Sequence, residues 1–252
     1  MSQDKATRKP NRMPEKRNDA SVTDNRSSAS EISEFLKAAK ATAPLKPGDG
    51  RLIFALDATM SRQPTWDLAC DLQAKMFSVA DTLDGLAVQL VYFRGLGECR
   101  ASRWTRTSGD LASMMQKIDC RGGRTQISKI LAHGLKEVGS APVGALIFIG
   151  DAMEENVDAL CIKAGELGLR KVPCFMFHEG RDSVTESAFR EIARLSGGAY
   201  LRFDRSAAHE LAELLKAVAR YAAGGRKALE SQGGKAAQLL LSQMGNGKKG
   251  SH

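Results

Sequence analysis

Residues 51–61 read RLIFALDATMS. The run LIFAL (52–56) is unbroken apolar sequence; it ends in Asp57 and is followed by hydroxyls at alternate positions, Thr59 and Ser61. So short an apolar run, with no polar face, predicts a strand covered on both sides. The signature returns twice: VGALIFIG (143–150) runs into Asp151, and VPCFMFH (172–178) runs into Glu179. LAVQLVYF (86–93) and AYLRF (199–203) supply two further strands.

Helical spacing fills the gaps. Leu72, Met76, Val79 and Leu83 share a face over residues 65–84, with Gly85 as the C-terminal stop. Further helices are expected at 108–118, 126–138, 153–167, 184–195 and 206–223. Strands alternating with helices build a parallel sheet. One link differs, because RGLGE (94–98) is too short for a crossover and CRASRW (99–104) must return as an antiparallel hairpin. The expected fold is α/β and doubly wound. Its sheet is mainly parallel and six-stranded, with one antiparallel edge strand and helices on both faces.

The flanks differ from this core. Residues 1–30 are polar, charged and free of aromatics, as in disordered chains, and SEISEFLKAAKA (30–41) follows as a short amphipathic helix. APLKPGDG (43–50) is a linker. The expected division is a basic tail over 1–48, a folded unit over 49–225, and a basic, partly helical or disordered tail over 226–252. Lys and Arg outnumber Asp and Glu by ten to seven in residues 1–50, twenty-two to twenty-one in 51–223, and five to one in 224–252. The folded unit is nearly neutral, so attraction for nucleic acid is expected only at the tails.

Five cysteines, Cys70, Cys99, Cys120, Cys161 and Cys174, form no Cys-x-x-Cys pair and read as small buried hydrophobes in a reducing compartment. No apolar run reaches the ~18 residues of a membrane span. The first thirty residues hold no hydrophobic segment of a secretory signal. A cytoplasmic location without membrane contact is expected.

In doubly wound sheets ligands sit beyond the carboxyl ends of the strands. Asp57, Thr59 and Ser61 fall there, as does Asp151, and the glycine loop CRGGRT (120–125) presents Thr125 between them. Two carboxylates and three hydroxyls, without His or Cys, select a hard cation, Mg²⁺ or Mn²⁺.

Asp57-x-Thr59-x-Ser61, then Thr125, then Asp151 together resemble the metal-ion-dependent adhesion site (MIDAS) of von Willebrand factor A (VWA) domains. The family pattern is Asp-x-Ser-x-Ser, then Thr, then Asp, and the resemblance spans residues 50–223. It implies that Thr59, Ser61 and Thr125 ligate the metal directly and that Asp57 and Asp151 act largely through water. An Asp or Glu of a partner protein completes the coordination. Thr59 departs from the family's serine, keeping the hydroxyl and adding a methyl. Intracellular members of the family often work beside ATPases or as assembly factors. The implied function is therefore metal-dependent protein binding without catalysis, with an ATPase or assembly complex as the implied kind of partner. The chain has no Walker A sequence of its own.

Each residue also has a plainer explanation. Asp151 and Glu154 fit a capping box, Thr125 fits the cap of a helix starting at Gln126, and residues 57–61 fit ordinary turn chemistry. His178, Glu179, Arg121 and Arg124 are expected on a partner-binding rim. An enzyme is the first alternative. Asp57 at a strand end, with Asp151, Glu154, Glu155 and Asp158 further on, also resembles haloacid-dehalogenase-type phosphatases, where Asp57 would be the nucleophile and Mg²⁺ would assist. That family needs a second aspartate at the position of Thr59, and a threonine supplies no useful proton at pH 7. The other alternative is a scaffold with an empty metal site whose basic tails bind nucleic acid or acidic protein.

Overall fold

The computed structural model describes residues 50–63, 66, 86–204 and 208–244. The helix expected over 30–41, most of that over 65–84, and the tail 1–48 lie outside the described residues.

Six strands form one sheet: β1 (Arg51–Asp57), β2 (Ala87–Arg94), β3 (Glu98–Ala101), β4 (Ala145–Gly150), β5 (Cys174–Glu179) and β6 (Ala199–Phe203), in the order β3-β2-β1-β4-β5-β6. All neighbours are parallel except β2 and β3, which pair antiparallel at the edge as the short RGLGE link requires. The chain leaves β1 for β2 on one side and later returns to place β4 on the other. The strand order therefore reverses between β1 and β4, the position where such sheets bind ligands.

The apolar runs are continuous because both faces are covered. On β1, Leu52, Phe54 and Leu56 pack with α1 (Ser108–Met115) and α5 (Ala208–Gln232). Ile53 and Ala55 point the other way, into a second cluster with α2 (Ile127–Ser140), α3 (Val157–Leu169) and α4 (Ser183–Ser196). Phe148 of β4 anchors this second layer, stacked on Phe93 at 6.0 Å and edge-on to Phe189 at 5.5 Å.

Helix α3 starts at Val157, later than the expected 153, because Asn156 caps it by accepting from Ala159 N at 2.9 Å. Burial also continues past Gly225, where the folded unit was expected to close. Helix α5 bends at Gly225 (φ 68°) and runs on to Gln232, and α6 (Gly234–Gln243) follows. Leu229, Ala237, Leu240 and Met244 are all buried with the sheet, and Gln243 accepts from Tyr200 N of β6 at 2.9 Å. Among the described residues no helix is long and apolar enough to cross a membrane.

Gly144, just before β4, lets α5 close on the sheet. A Cβ there would stand 2.3 Å from Ala222 O. Gly144→Ala is expected to lower stability by about 1–3 kcal/mol through overpacking, measured by urea unfolding at unchanged m-value.

Candidate metal centre

Asp57 ends β1 and is fully buried. Its Oδ1 accepts from Thr59 N at 2.7 Å, the Asx-type bond that turns the chain out of the strand. The turn then tightens through Met60–Arg62, with Arg62 N donating to Thr59 O at 3.0 Å. This brings the Thr59 and Ser61 hydroxyls to 3.1 Å from one another. Arg62 is itself buried, in an ion pair with Glu179 at the end of β5.

The glycine loop is clamped between this turn and the β2–β3 hairpin. Arg121 N donates to Ala58 O at 3.1 Å, and Arg124 N to Gly95 O at 3.2 Å. Gly123 lies so close that a Cβ on it would be 2.0 Å from Gly95 O. Thr125, delivered next, is buried; its Oγ1 accepts from Glu154 N at 3.0 Å, and its N–H donates to Glu154 Oε2 at 3.2 Å. Glu155 accepts from Ile127 N and from Ser128 N, the latter at 3.0 Å, so the start of α2 is capped from the β4–α3 loop. Thr125 is therefore not the cap of that helix, and Glu154 serves the glycine loop instead of a capping box with Asp151.

Asp151 follows β4, whose Ile149 is registered with Leu56 of β1. A Cβ on Gly150 would lie 3.5 Å from the Asp57 Cβ, so the two aspartates stand at adjacent strand ends. Burial pushes the Asp57 carboxyl up to about 6; hydrogen bonds from Thr59 pull it down, Asp151 pushes it further up, and Arg62 pulls it down. Asp57 Oδ2 and Asp151 Oδ1 are both buried without a hydrogen-bond partner. A buried carboxylate oxygen lacking a donor is costly unless a proton or cation meets it. Among the described residues no three His, Cys, Asp or Glu side chains converge. The side chains carried by these three loops are hard oxygen donors, and their chemistry fits Mg²⁺ or Mn²⁺ better than a soft metal.

The expected rim is different. His178 is fully buried, with Nδ1 3.0 Å from the Tyr200 hydroxyl, and burial pushes its imidazole below the ordinary value. It lies beside Gly150 in the β4–β5 register, enclosed and out of a partner's reach. Glu179 is committed to Arg62. Arg121 and Arg124 are exposed beside the hydroxyls. Arg62, Glu154 and Glu155, absent from the expected site, hold its three loops in place.

Solved structures match the fold that carries these loops. Proximal thread matrix protein 1 from the mussel byssus has a TM-score of 0.56 at 18% identity, covering 72% of this chain and 50% of its own. The SpRpn10 VWA domain has a TM-score of 0.52 at 15% identity, covering 68% of this chain and 94% of its own. The chain has the von Willebrand factor A fold. The human COPII-coat protein Sec24c matches this VWA fold with a TM-score of 0.53 at 12% identity, over 75% of this chain and 33% of its own. The chain thus spans about half of the mussel protein and a third of Sec24c. The mussel protein has also been solved with a zinc-occupied MIDAS motif, matching at 17% identity with a TM-score of 0.55 over 70% of this chain and 46% of its own. No family model and no curated protein matches the sequence.

Proposed function

We propose that this VWA fold is a metal-dependent protein-binding module and not an enzyme, with Asp57, Thr59, Ser61, Thr125 and Asp151 as its MIDAS. The observation that carries the reading is the pair of buried, unpartnered carboxylate oxygens, Asp57 Oδ2 and Asp151 Oδ1, at the sheet's switch point beside three hydroxyls. Thr59 and Ser61 hydroxyls, already 3.1 Å apart, would hold Mg²⁺ or Mn²⁺ together with Thr125. The two aspartates would balance its charge, and the ion would offer an open position to a partner's Asp or Glu. The zinc-occupied motif of the mussel protein supports a divalent ion at this place in the fold.

The phosphatase alternative is weaker. Asp57 Oδ1 is held by Thr59 N, and Thr59 supplies no second acid. The module reading moves the rim from His178 and Glu179 to Arg121 and Arg124. It also takes an ATPase or assembly complex as the kind of partner, and a cytoplasmic setting in which Cys99, Cys120, Cys161 and Cys174, all free thiols, stay reduced.

The test is affinity capture by wild type and by Asp151→Ala, each in Mg²⁺ and in EDTA. Removing the partly buried Asp151 relieves an unpartnered oxygen, so this variant should fold. Proteins retained by wild type in Mg²⁺, and lost both in EDTA and with Asp151→Ala, are the expected result. Identical sets under all four conditions would refute the reading.

A further inference from the structure

The face around the five oxygens is divided by charge. On one side lie the glycine loop and the hairpin, joined by the Arg124 N to Gly95 O bond at 3.2 Å and joined to the metal turn by Arg121 N to Ala58 O at 3.1 Å. These bonds join the segments that carry Met60, Arg121, Arg124 and Leu96 into one strip of chain. Met60 is 54% exposed and Leu96, at the hairpin tip, 84%. Their apolar surface has no cover among the described residues. Arg121 is held by Asp119 at 2.9 Å, while the Arg124 side chain has no hydrogen bond or ion pair among the described residues.

The charges of this side are Arg94, Arg100, Arg121 and Arg124 against Glu98 and Asp119, four positive to two negative. Across from it, the β4–α3 loop and the first turn of α3 carry Asp151, Glu154, Glu155 and Asp158 and no base between residues 151 and 158; the Glu154 and Glu155 carboxylates are taken up by the N–H groups of Thr125, Ile127 and Ser128, which leaves Asp151 and Asp158 as the acids of that side. An acidic chain leaving the metal is therefore repelled by the α3 side and drawn toward the hairpin.

Resting on the metal-dependent reading above, we infer that the partner presents an acidic segment that is more than a single metal-binding carboxylate. The segment carries an apolar side chain next to that carboxylate and a further acidic residue, and it runs from the Thr59–Ser61 turn toward the β2–β3 hairpin. Met60 and Leu96 take the apolar contact, and Arg124 takes the second acid. Arg124 is suited to this because its guanidinium is free to form a two-pronged bond with a carboxylate.

The probe is a fluorescent random copolymer of glutamate and tyrosine, with polyglutamate and polyuridylate beside it, read by anisotropy in excess Mg²⁺ and in EDTA. Mg²⁺ affinity is measured in parallel by calorimetry on the same proteins. The expected result is Mg²⁺-dependent binding of the copolymer, tighter than that of polyglutamate. Arg124→Glu should weaken it by about tenfold and Leu96→Ser by about threefold, with Mg²⁺ affinity undiminished in both variants. If Mg²⁺ binds but the copolymer does not, or binds equally to both variants, the inference fails and the metal reading stands. If polyuridylate binds through Arg124 as tightly in EDTA as the copolymer does in Mg²⁺, the strip reads phosphate and the inference is overturned. If Mg²⁺ itself fails to bind wild type, the reading beneath fails first.

Discussion

Asp57→Asn is expected to stabilise the metal-free protein at pH 7 and to erase its response to Mg²⁺. Burial pushes the Asp57 carboxyl from 3.8 up to about 6. A folded-state value above the unfolded one means that the folded chain binds more protons between pH 3.8 and 6. Stability of the metal-free protein therefore falls as pH rises through this window. A rise of this size corresponds to about 3 kcal/mol, fully felt once the pH exceeds the folded-state value. Asparagine keeps the acceptor for Thr59 N, removes the charge, and offers an N–H toward Asp151. In thermal melts without metal, wild type should lose stability from pH 4 to pH 7 relative to Asp57→Asn. With Mg²⁺ the order reverses at pH 7, because only the wild-type carboxylate, ionised at that pH, offers the cation a charge. A variant less stable than wild type in EDTA at pH 7 would show that the buried charge of Asp57 does not destabilise the fold.

Arg62→Met is expected to cost about 3–5 kcal/mol, since it leaves Glu179 charged and half-buried without its partner. Arg62 is 1% exposed and joins the metal turn to the end of β5. Its loss also withdraws a positive charge that favours ionised Asp57, so Mg²⁺ affinity should fall with stability. The double variant Arg62→Met, Glu179→Met should recover most of the stability, because two apolar side chains replace a desolvated pair. Denaturant unfolding of Arg62→Met, of Glu179→Met and of the double variant measures this coupling. Equal losses in the single and double variants would show that the ion pair is not what holds Arg62 in place.

Much of the fold, and the turn that carries the first part of the candidate site, is legible in the sequence because it is local. Asp57, Thr59 and Ser61 lie within five residues, so the bond from Thr59 N to Asp57 and the close pair of hydroxyls follow from local spacing. Strand positions are clear because burial on both faces leaves unbroken apolar runs such as LIFAL and ALIFI. Long-range features are harder. Asp151 and Glu154 mimic a capping box and so suggest too early a start for α3, whereas Glu154 is used by Thr125 across the site and Asn156 does the capping. His178 ends a strand, which suggests exposure; its enclosure depends on Gly150 and Tyr200, which only the sheet register brings near. Arg62 gives no signal, since arginine is ordinarily a surface residue and its partner lies more than a hundred positions away. The burial of Leu229 and Leu240 is hidden by the glycines around them, which read as a loose tail.

The most direct test of the central claim is calorimetric titration of Mg²⁺ and Mn²⁺ into the metal-free full chain and into Asp57→Asn and Asp151→Ala. The account predicts one saturable site per wild-type chain, with proton release at pH 6, and no binding by either variant. A wild type indifferent to millimolar Mg²⁺ and Mn²⁺, or variants that bind as well as wild type, would contradict it.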